Sequence, residues 1–291
     1  MSPFARGLAA AVLALALGAA AAADSGAGVT TIAEGDATLV RGTVRHPLRE
    51  GVRLAPGDIV ETSPQARLLR IEFDAAGYAN LGPGTRVLLG PAPADRARPR
   101  APVYLRSGWL KTDAAVLSPA VDVPSPRSAY VLALRPEGAQ VFTEAAPLSL
   151  VDRREPSRPL TLPAGQLFER AAGATKPVVA ARPSPAFLQA LPPPFLDTLP
   201  ALAERFKARP VTPKAAGEVS YADIQPWLTA EPSLRRSLQA RWTPLLRQPA
   251  FRQALITHLA QHPEWERPLF PERFRPASAP RSAPTPTPAY R

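Results

Sequence analysis

The sequence of 291 residues contains no cysteine. Such a chain cannot use a thiol nucleophile, build a thiolate zinc site or ligate an iron–sulfur cluster. It also lacks the cysteine to which a bacterial lipoprotein anchor is attached. Because a secreted protein of this size can be stable without disulfides, the absence leaves the compartment open.

Histidine is scarce as well, with three residues in the whole chain. His258 and His262 are spaced i, i+4, which on a helix would place two imidazoles on one face, as a zinc site requires. The glutamate of the metalloprotease pattern is missing, because Leu259 stands in its position, and Pro263 follows directly. We therefore expect these histidines to end a helix, and we expect neither a metal nor a cofactor.

Long blocks of one charge are absent, although the net charge is +11. No run of five or six basic residues occurs, and basic residues do not alternate with aromatic residues as on a single-strand binding surface. We expect no nucleic-acid partner. Dispersed positive charge favours an anionic glycan of the cell envelope, such as peptidoglycan or exopolysaccharide.

Proline is abundant, with 38 residues, far above the roughly 5% of an average protein. The prolines are spread along the chain, so they predict short elements joined by many turns. A GC-rich coding sequence would also raise the content of proline, alanine and arginine, which weakens this argument.

The N-terminus resembles a bacterial signal peptide. One arginine precedes an apolar run of about 16 residues that ends in small residues before Asp24. We expect residues 1–23 to be removed after Ala23, which predicts a periplasmic or secreted protein without a transmembrane segment. The alternative is an uncleaved membrane tether, but the run is short and mostly alanine.

Residues 24–170 alternate between apolar and polar positions and carry turn signals every 8 to 12 residues, which predicts an all-β domain. In Pro56-Gly57 and Pro83-Gly84 the glycine suits the positive φ of a turn. Val103, Leu105 and then Gly108 to Leu110 predict a strand, a turn and a second strand. Glu61 and Glu72 alternate with apolar residues, as on a solvated strand face.

The pattern changes after residue 170. Residues 171–185 are rich in Ala, Pro and basic residues and predict a linker. Residues 186–275 have helical periodicity, including a helix that begins at Pro249, and residues 276–291 are a proline-rich tail. The expected fold class is α+β with several domains, namely a β domain of short strands, arranged as a sandwich or a solenoid, and a small α-helical region.

Candidate catalytic groups are few. The serines lack the strand–elbow–helix setting of a hydrolase, and Asp58 follows a Pro-Gly turn, where aspartate commonly binds local amides. We expect a non-enzymatic protein. An envelope hydrolase that uses Asp58, Asp74 and the helix histidines is the alternative. Trp265 lies outside the helical periodicity and is the tryptophan expected at the surface as a contact residue.

The segment 54–89 resembles the FecR domain, a family named for a periplasmic regulator of ferric citrate transport. The resemblance extends over roughly residues 34–168 and includes the later motifs LRSGWL at 105–110 and LPAGQ at 162–166. Motif positions with a structural role are Gly57, Asp58, Thr62, Gly77, Pro83, Thr85, Gly108, Gly165 and Gln166.

Two departures from the family limit what the resemblance implies. The hairpin loop is DAAG, where the family usually has adjacent Asp-Gly, and only a signal peptide precedes the β domain in place of a cytoplasmic segment. Regulation of a sigma factor is therefore not expected. The resemblance implies a β-rich extracytoplasmic module that binds an envelope protein, through strand edges and turns, or an anionic glycan. A membrane-tethered sensor is the alternative if residues 1–23 are retained.

Overall fold

The computed structural model describes residues 27–75, 77–90, 101–209 and 211–274. The predicted signal peptide with its cleavage site at Ala23 and the predicted tail at 276–291 lie outside the described residues. Within them, no helix is long and apolar enough to cross a membrane.

Strands make up most of the first two thirds of the chain. They are β1 (Gly28–Glu34), β2 (Ala37–Arg41), β3 (Val44–Pro47), β4 (Arg53–Leu54), β5 (Ile59–Thr62), β6 (Leu68–Phe73), β7 (Tyr78–Leu81), β8 (Arg86–Leu89), β9 (Val103–Thr112), β10 (Val116–Leu117), β11 (Val121–Asp122), β12 (Tyr130–Arg135), β13 (Gly138–Thr143), β14 (Leu148–Asp152), β15 (Leu160–Leu162), β16 (Leu167–Ala171), β17 (Val178–Ala180) and β18 (Gly217–Glu218). The expected short strands and turns are confirmed, because most of these strands have six residues or fewer.

Helices follow in the last third. They are α1 (Pro185–Ala190), α2 (Tyr221–Leu228), α3 (Pro232–Trp242), α4 (Pro249–Thr257) and α5 (Glu266–Leu269), with 3₁₀ turns at Pro193–Leu196, Ala203–Phe206, Thr243–Arg247, Leu259–Gln261, Pro263–Trp265 and Pro271–Phe274. Proline stands in the first turn of α1, α3 and α4, where its missing N–H breaks no helical hydrogen bond. The predicted helix start at Pro249 is confirmed.

The main sheet is almost entirely antiparallel and has β9 at its centre. Its path runs β17-β16-β13-β12-β9-β8-β5-β2-β3-β18. The first part of β9 pairs with β8, and the second part pairs with β12 and β7. The expectation of two strands here is wrong, because Gly108, with φ of 101°, bends one continuous strand between its two sets of partners.

The inner faces of the sheet enclose one apolar core. Alternate residues of β6 (Leu69, Ile71) and β12 (Leu132, Leu134) point into it, together with Phe168 of β16. This alternation is the period of two that predicted strands from the sequence.

The outer face of the sheet is covered by the C-terminal third of the chain. Phe187, Leu191 and Phe195 pack on Trp109 and Leu68 at one place. At another, helices α2 to α5 pack on outer residues of the strands, including Val40, Ile59, Leu88 and Tyr104. Strand β6 is buried at every position because both of its faces are covered, and its outer face includes the charged residues Arg70 and Glu72.

The α+β class is confirmed, since a mostly antiparallel sheet precedes a few C-terminal helices. The predicted linker at 171–185 differs from the structure, because residues 178–180 form β17 and extend the sheet beside β16. Strand β18, from the predicted helical region, also pairs with β3. The helical region is thus built onto the β domain.

Candidate functional site: the surface around the β12–β13 turn

The motif threonines join three strand segments. Thr62 Oγ1 donates to the carbonyl of Gly82 at 2.6 Å and accepts from the amide of Thr85 at 2.8 Å. Thr85 Oγ1 in turn accepts from the amide of Trp109 at 2.9 Å. A Cβ on Gly108 would lie 2.4 Å from Thr85 Cα, so only glycine permits this approach. These residues therefore have a structural role, because they fix the strand segments relative to one another.

Asp58 is a structural residue too. Its side chain is 3% exposed and accepts a bidentate pair of hydrogen bonds from Arg41, at 2.6 and 3.0 Å, and one from the amide of Ala55 at 2.8 Å. The hydrogen bonds that Arg41 donates to Asp58 raise the pKa of Arg41 despite partial burial. Both carboxylate oxygens are engaged in the turn that follows Gly57, whose φ of 88° is the positive angle expected.

The remaining motif residues lie in turns. Gly77 and Gly165 have φ of 91° and 77°. Pro83 precedes the positive-φ Gly84 between β7 and β8, and the amide of Gln166 donates to the carbonyl of Pro163 at 3.2 Å. None of these positions lines a described cavity.

The expectation of solvated faces for two glutamates is wrong, because Glu72 is buried and Glu61 is partly buried, and both contact the C-terminal segment. Glu72, 7% exposed, accepts from the amides of Leu202 and Ala203 and from Arg70 Nε, all at 2.9 to 3.0 Å. Glu61 accepts from the indole Nε1 of Trp227 at 2.9 Å. The C-terminal segment supplies these partners and replaces the water that an exposed carboxylate would have.

Burial affects the two carboxyl groups differently. For Glu61, burial raises the pKa above its ordinary value, and the hydrogen bond from Trp227 offsets only part of this. Burial also acts to raise the pKa of Glu72, but hydrogen bonds from Leu202, Ala203 and Arg70 outweigh it and lower the pKa.

The histidine pair does not share a helix, because α4 ends at Thr257. The ring of His258 stacks on Tyr221 at 5.3 Å between centroids, and Nε2 of the buried His262 lies 3.2 Å from the Tyr221 hydroxyl. Burial lowers the pKa of His262. No cluster of three or more potential metal-ligating His, Cys, Asp or Glu residues occurs in the described parts of the chain.

Trp265 is not at the surface, and the expectation of a contact residue there is wrong. Its side chain is fully buried, and its ring meets Phe251 edge-on at 6.4 Å between centroids. The residue ends the 3₁₀ turn Pro263–Trp265, which rotates it inward. A periodicity of 3.6 residues does not apply to a 3₁₀ turn, so the helical pattern misplaced this side chain.

Two cavities lie on either side of the turn between β12 and β13. The first, of about 310 Å³, is lined by polar side chains of β12, β13 and β16, by Lys176 and by Val178 of β17. The second, of about 360 Å³, is mainly apolar and is lined by Pro119, Ala120, Leu134, Pro136 and Ala172, with Arg106 and Ser107. The two share Arg135, Gly138 and Ala139. We name the combined area the turn surface.

A row of polar side chains crosses the outer face of the sheet at the first cavity. Arg135 donates to Gln140 Oε1 at 3.1 Å, and Gln140 Nε2 donates to Glu169 Oε1 at 2.5 Å. The Arg135 guanidinium also lies 5.0 Å from the centroid of the Trp109 ring. These contacts fix the rotamers of the row, so its donors and acceptors are preorganised.

The site around the Pro136-Glu137-Gly138 turn was not predicted from the sequence. The sequence does show that Arg135, Gln140 and Glu169 occupy polar positions in three segments where polar and apolar residues alternate. Only the register, with Gln140 opposite Glu169, shows that these positions meet. Comparison with known proteins finds no matching protein-family model, no matching curated protein and no matching solved structure.

Proposed function

We propose that this protein is a non-enzymatic interaction module of the bacterial cell envelope that binds a segment of another envelope protein at the turn surface. The observation that carries the proposal is the pair of adjoining cavities around the β12–β13 turn, one with several charged and polar residues in its lining and one with mainly apolar residues. Cavities of this size with a few convergent polar groups suit side chains of a partner.

A protein segment fits the turn surface better than a glycan does. A polypeptide presents apolar and polar side chains next to each other, as the two cavities require. Sugar-binding surfaces commonly stack an aromatic ring on the sugar, and neither cavity has an aromatic residue in its lining. The net charge of +11 remains the argument for an anionic glycan.

The envelope location rests on the signal-peptide pattern of residues 1–23 and on the resemblance to the FecR domain. A mature protein that begins at Asp24 supports a free periplasmic or secreted form. Retention of residues 1–23 instead supports the membrane-tethered sensor, so N-terminal sequencing of the purified protein separates the two.

The hydrolase alternative has less support, because its residues belong to separate contacts. Asp58 pairs with Arg41, Asp74 pairs with Arg53 at 2.8 Å, and both histidines contact Tyr221. A general acid and base would need to face one substrate from within hydrogen-bond reach of it.

The test compares binding of the full mature protein to extracted envelope proteins and to purified cell-wall glycan. Glu137→Lys changes the first cavity and Ala172→Glu the second, and both residues are exposed, so neither substitution disturbs the core. Each variant is expected to weaken binding to the protein fraction about tenfold or more. Glu204→Lys, the same charge change on a side chain that is 80% exposed outside the turn surface, is the control.

The outcomes distinguish a protein partner at the turn surface from a glycan partner and from binding at another site. Loss of protein binding in both site variants, with normal binding by the control, supports the proposal. Binding to glycan alone, weakened by added salt, would show that the partner class is wrong. Binding that neither variant changes would show that the turn surface is not the site.

A further inference from the structure

Strand β17 is the outermost strand at one end of the main sheet. It pairs with β16 on one side, and no other strand of the described residues pairs with its second side. Val178 and Val179 are 63% and 42% exposed, so two neighbouring aliphatic side chains face solvent. A free strand edge with apolar side chains is the feature that partner strands use when they extend a sheet.

Basic residues frame this edge. Lys176 and Arg182 are exposed on either side of the valines, and neither forms an ion pair within the described residues. Arg154 approaches the same region, because it donates to the carbonyl of Ala174 in the turn before β17. Glu169, opposite Val178 in the strand pair, accepts from the neutral amide of Gln140 and is the acidic residue of this register, so three basic residues outnumber it. The edge therefore attracts negative charge.

The same charges disfavour a second copy of this chain as the occupant. In an antiparallel pair centred on Val179, Lys176 of one copy would stand opposite Arg182 of the other, since the two residues are equally distant from Val179. In a parallel pair, Lys176 would stand beside Lys176 of the other copy, and Arg182 beside Arg182. Like charges opposite each other destabilise a strand pair.

Pro177 and Pro183 limit how long an added strand can be. Proline has no N–H to donate, so pairing is interrupted directly before β17 at Pro177 and three residues after its end at Pro183. Short, proline-flanked and basic edges also resist uncontrolled sheet extension. The edge is thus suited to one short segment whose charge matches it.

We propose that β17 pairs with a short extended segment of a partner protein, in which apolar residues are flanked by acidic residues. This inference rests on the proposed function and names its partner chemistry. The apolar centre covers Val178 and Val179, and the acidic flanks meet Lys176 and Arg182. Since Val178 also lines the first cavity, the bound segment continues onto the turn surface.

The experiment measures binding of a labelled synthetic peptide, about seven residues long as in a typical strand, with Val-Thr-Val between acidic pairs. A second peptide has lysine pairs at the same places. The full mature protein is expected to bind the acidic peptide about tenfold more tightly than the basic one, with the preference reduced by salt.

The charge-reversal variant Lys176→Glu/Arg182→Glu is expected to invert this preference. Its matched control is Lys207→Glu/Arg158→Glu, which changes the same residue types on side chains 67% and 83% exposed at other places. The control has the same net charge, so it corrects for nonspecific attraction.

An equal affinity for both peptides, or a preference that survives the reversal, overturns the inference. So does an acidic polysaccharide that binds at this edge where the acidic peptide does not, or self-association through β17 seen in sedimentation. If Glu137→Lys still abolishes binding to the envelope-protein fraction while the edge variant does not, the proposed function stands and only the edge pairing is wrong.

Discussion

The indole Nε1 of Trp227 donates a 2.9 Å hydrogen bond to Glu61, which joins helix α2 to strand β5 across 166 residues of sequence. The indole ring is fully buried, and the carboxylate is partly buried on the outer face of the sheet. This contact is one of several by which the C-terminal third is attached to the β domain.

Trp227→Phe is expected to lower the free energy of unfolding by about 1–3 kcal/mol, because the partly buried Glu61 loses its indole donor and keeps only the ion pair with Arg86 at 3.5 Å. Trp242→Phe is the matched control: that indole is also buried, but its Nε1 has no hydrogen-bond partner in the described residues. Urea denaturation of both variants checks this, and equal losses would show that the hydrogen bond contributes nothing.

Glu72→Gln is expected to lower the free energy of unfolding by about 3 kcal/mol. It leaves the buried Arg70 without a counter-charge, and the amide NH₂ that replaces one carboxylate oxygen faces N–H donors. Glu34→Gln is the control, since Glu34 forms an exposed ion pair with Arg67 at 3.6 Å, worth about 0–1 kcal/mol. Denaturation in urea measures both, and a loss in Glu72→Gln no larger than in the control contradicts the assigned role.

Gly108→Ala is expected to destabilise the protein by about 3 kcal/mol or more, because φ is 101° and the new Cβ would collide with Thr85. Gly42→Ala provides the comparison at φ of 61° with no atom near the new Cβ, so only the backbone cost of about 1–2 kcal/mol applies. The difference in melting temperature between the two variants reports the collision with Thr85 together with the larger backbone strain of alanine at φ of 101°. If both variants melt alike, the close approach at Gly108 is not a constraint.

Stability is expected to fall with acidification through His262. Burial lowers the pKa of His262 below its ordinary 6.5, so the unfolded chain takes up this proton at a higher pH than the folded protein does. The stability that depends on neutral His262 is therefore complete above pH 6.5. It is lost as the pH decreases below that value, by at most about 1.4 kcal/mol per pH unit. The groups that face the imidazole are Tyr221, Glu264, His258 and Arg235.

The measurement for His262 compares wild type and His262→Gln by urea denaturation at pH values above and below 6.5. The comparison is needed because the raised pKa of Glu61 acts in the opposite sense, adding stability as the folded protein binds its proton. The variant is expected to have a shallower loss of stability below pH 6.5. Parallel pH profiles would contradict the prediction.

Local patterns predicted the strands and turns of the β domain well. Pro-Gly pairs placed turns correctly, with Gly57 and Gly84 at positive φ, and proline placed the start of α4. These features are decided by backbone sterics within a few residues, so they can be read from sequence.

Features that depend on distant partners were missed. Glu72 and Glu61 have the polar spacing of a solvated strand face, and only the segments at 202–203 and 227 convert that face into an interior. The turn surface was missed for the same reason, since Gln140 meets Glu169 through strand register rather than through sequence proximity.

The C-terminal third covers the outer face of the sheet, so that face becomes buried only after the last part of the chain has been synthesised. Strands synthesised early, such as β5 and β8, carry apolar residues on the outer face. These residues stay exposed until the covering helices are made, more than a hundred residues later. The unfinished β domain therefore presents an exposed apolar surface until the last helices are synthesised. A shortened chain ending near residue 185 is expected to aggregate rather than yield an isolated β domain.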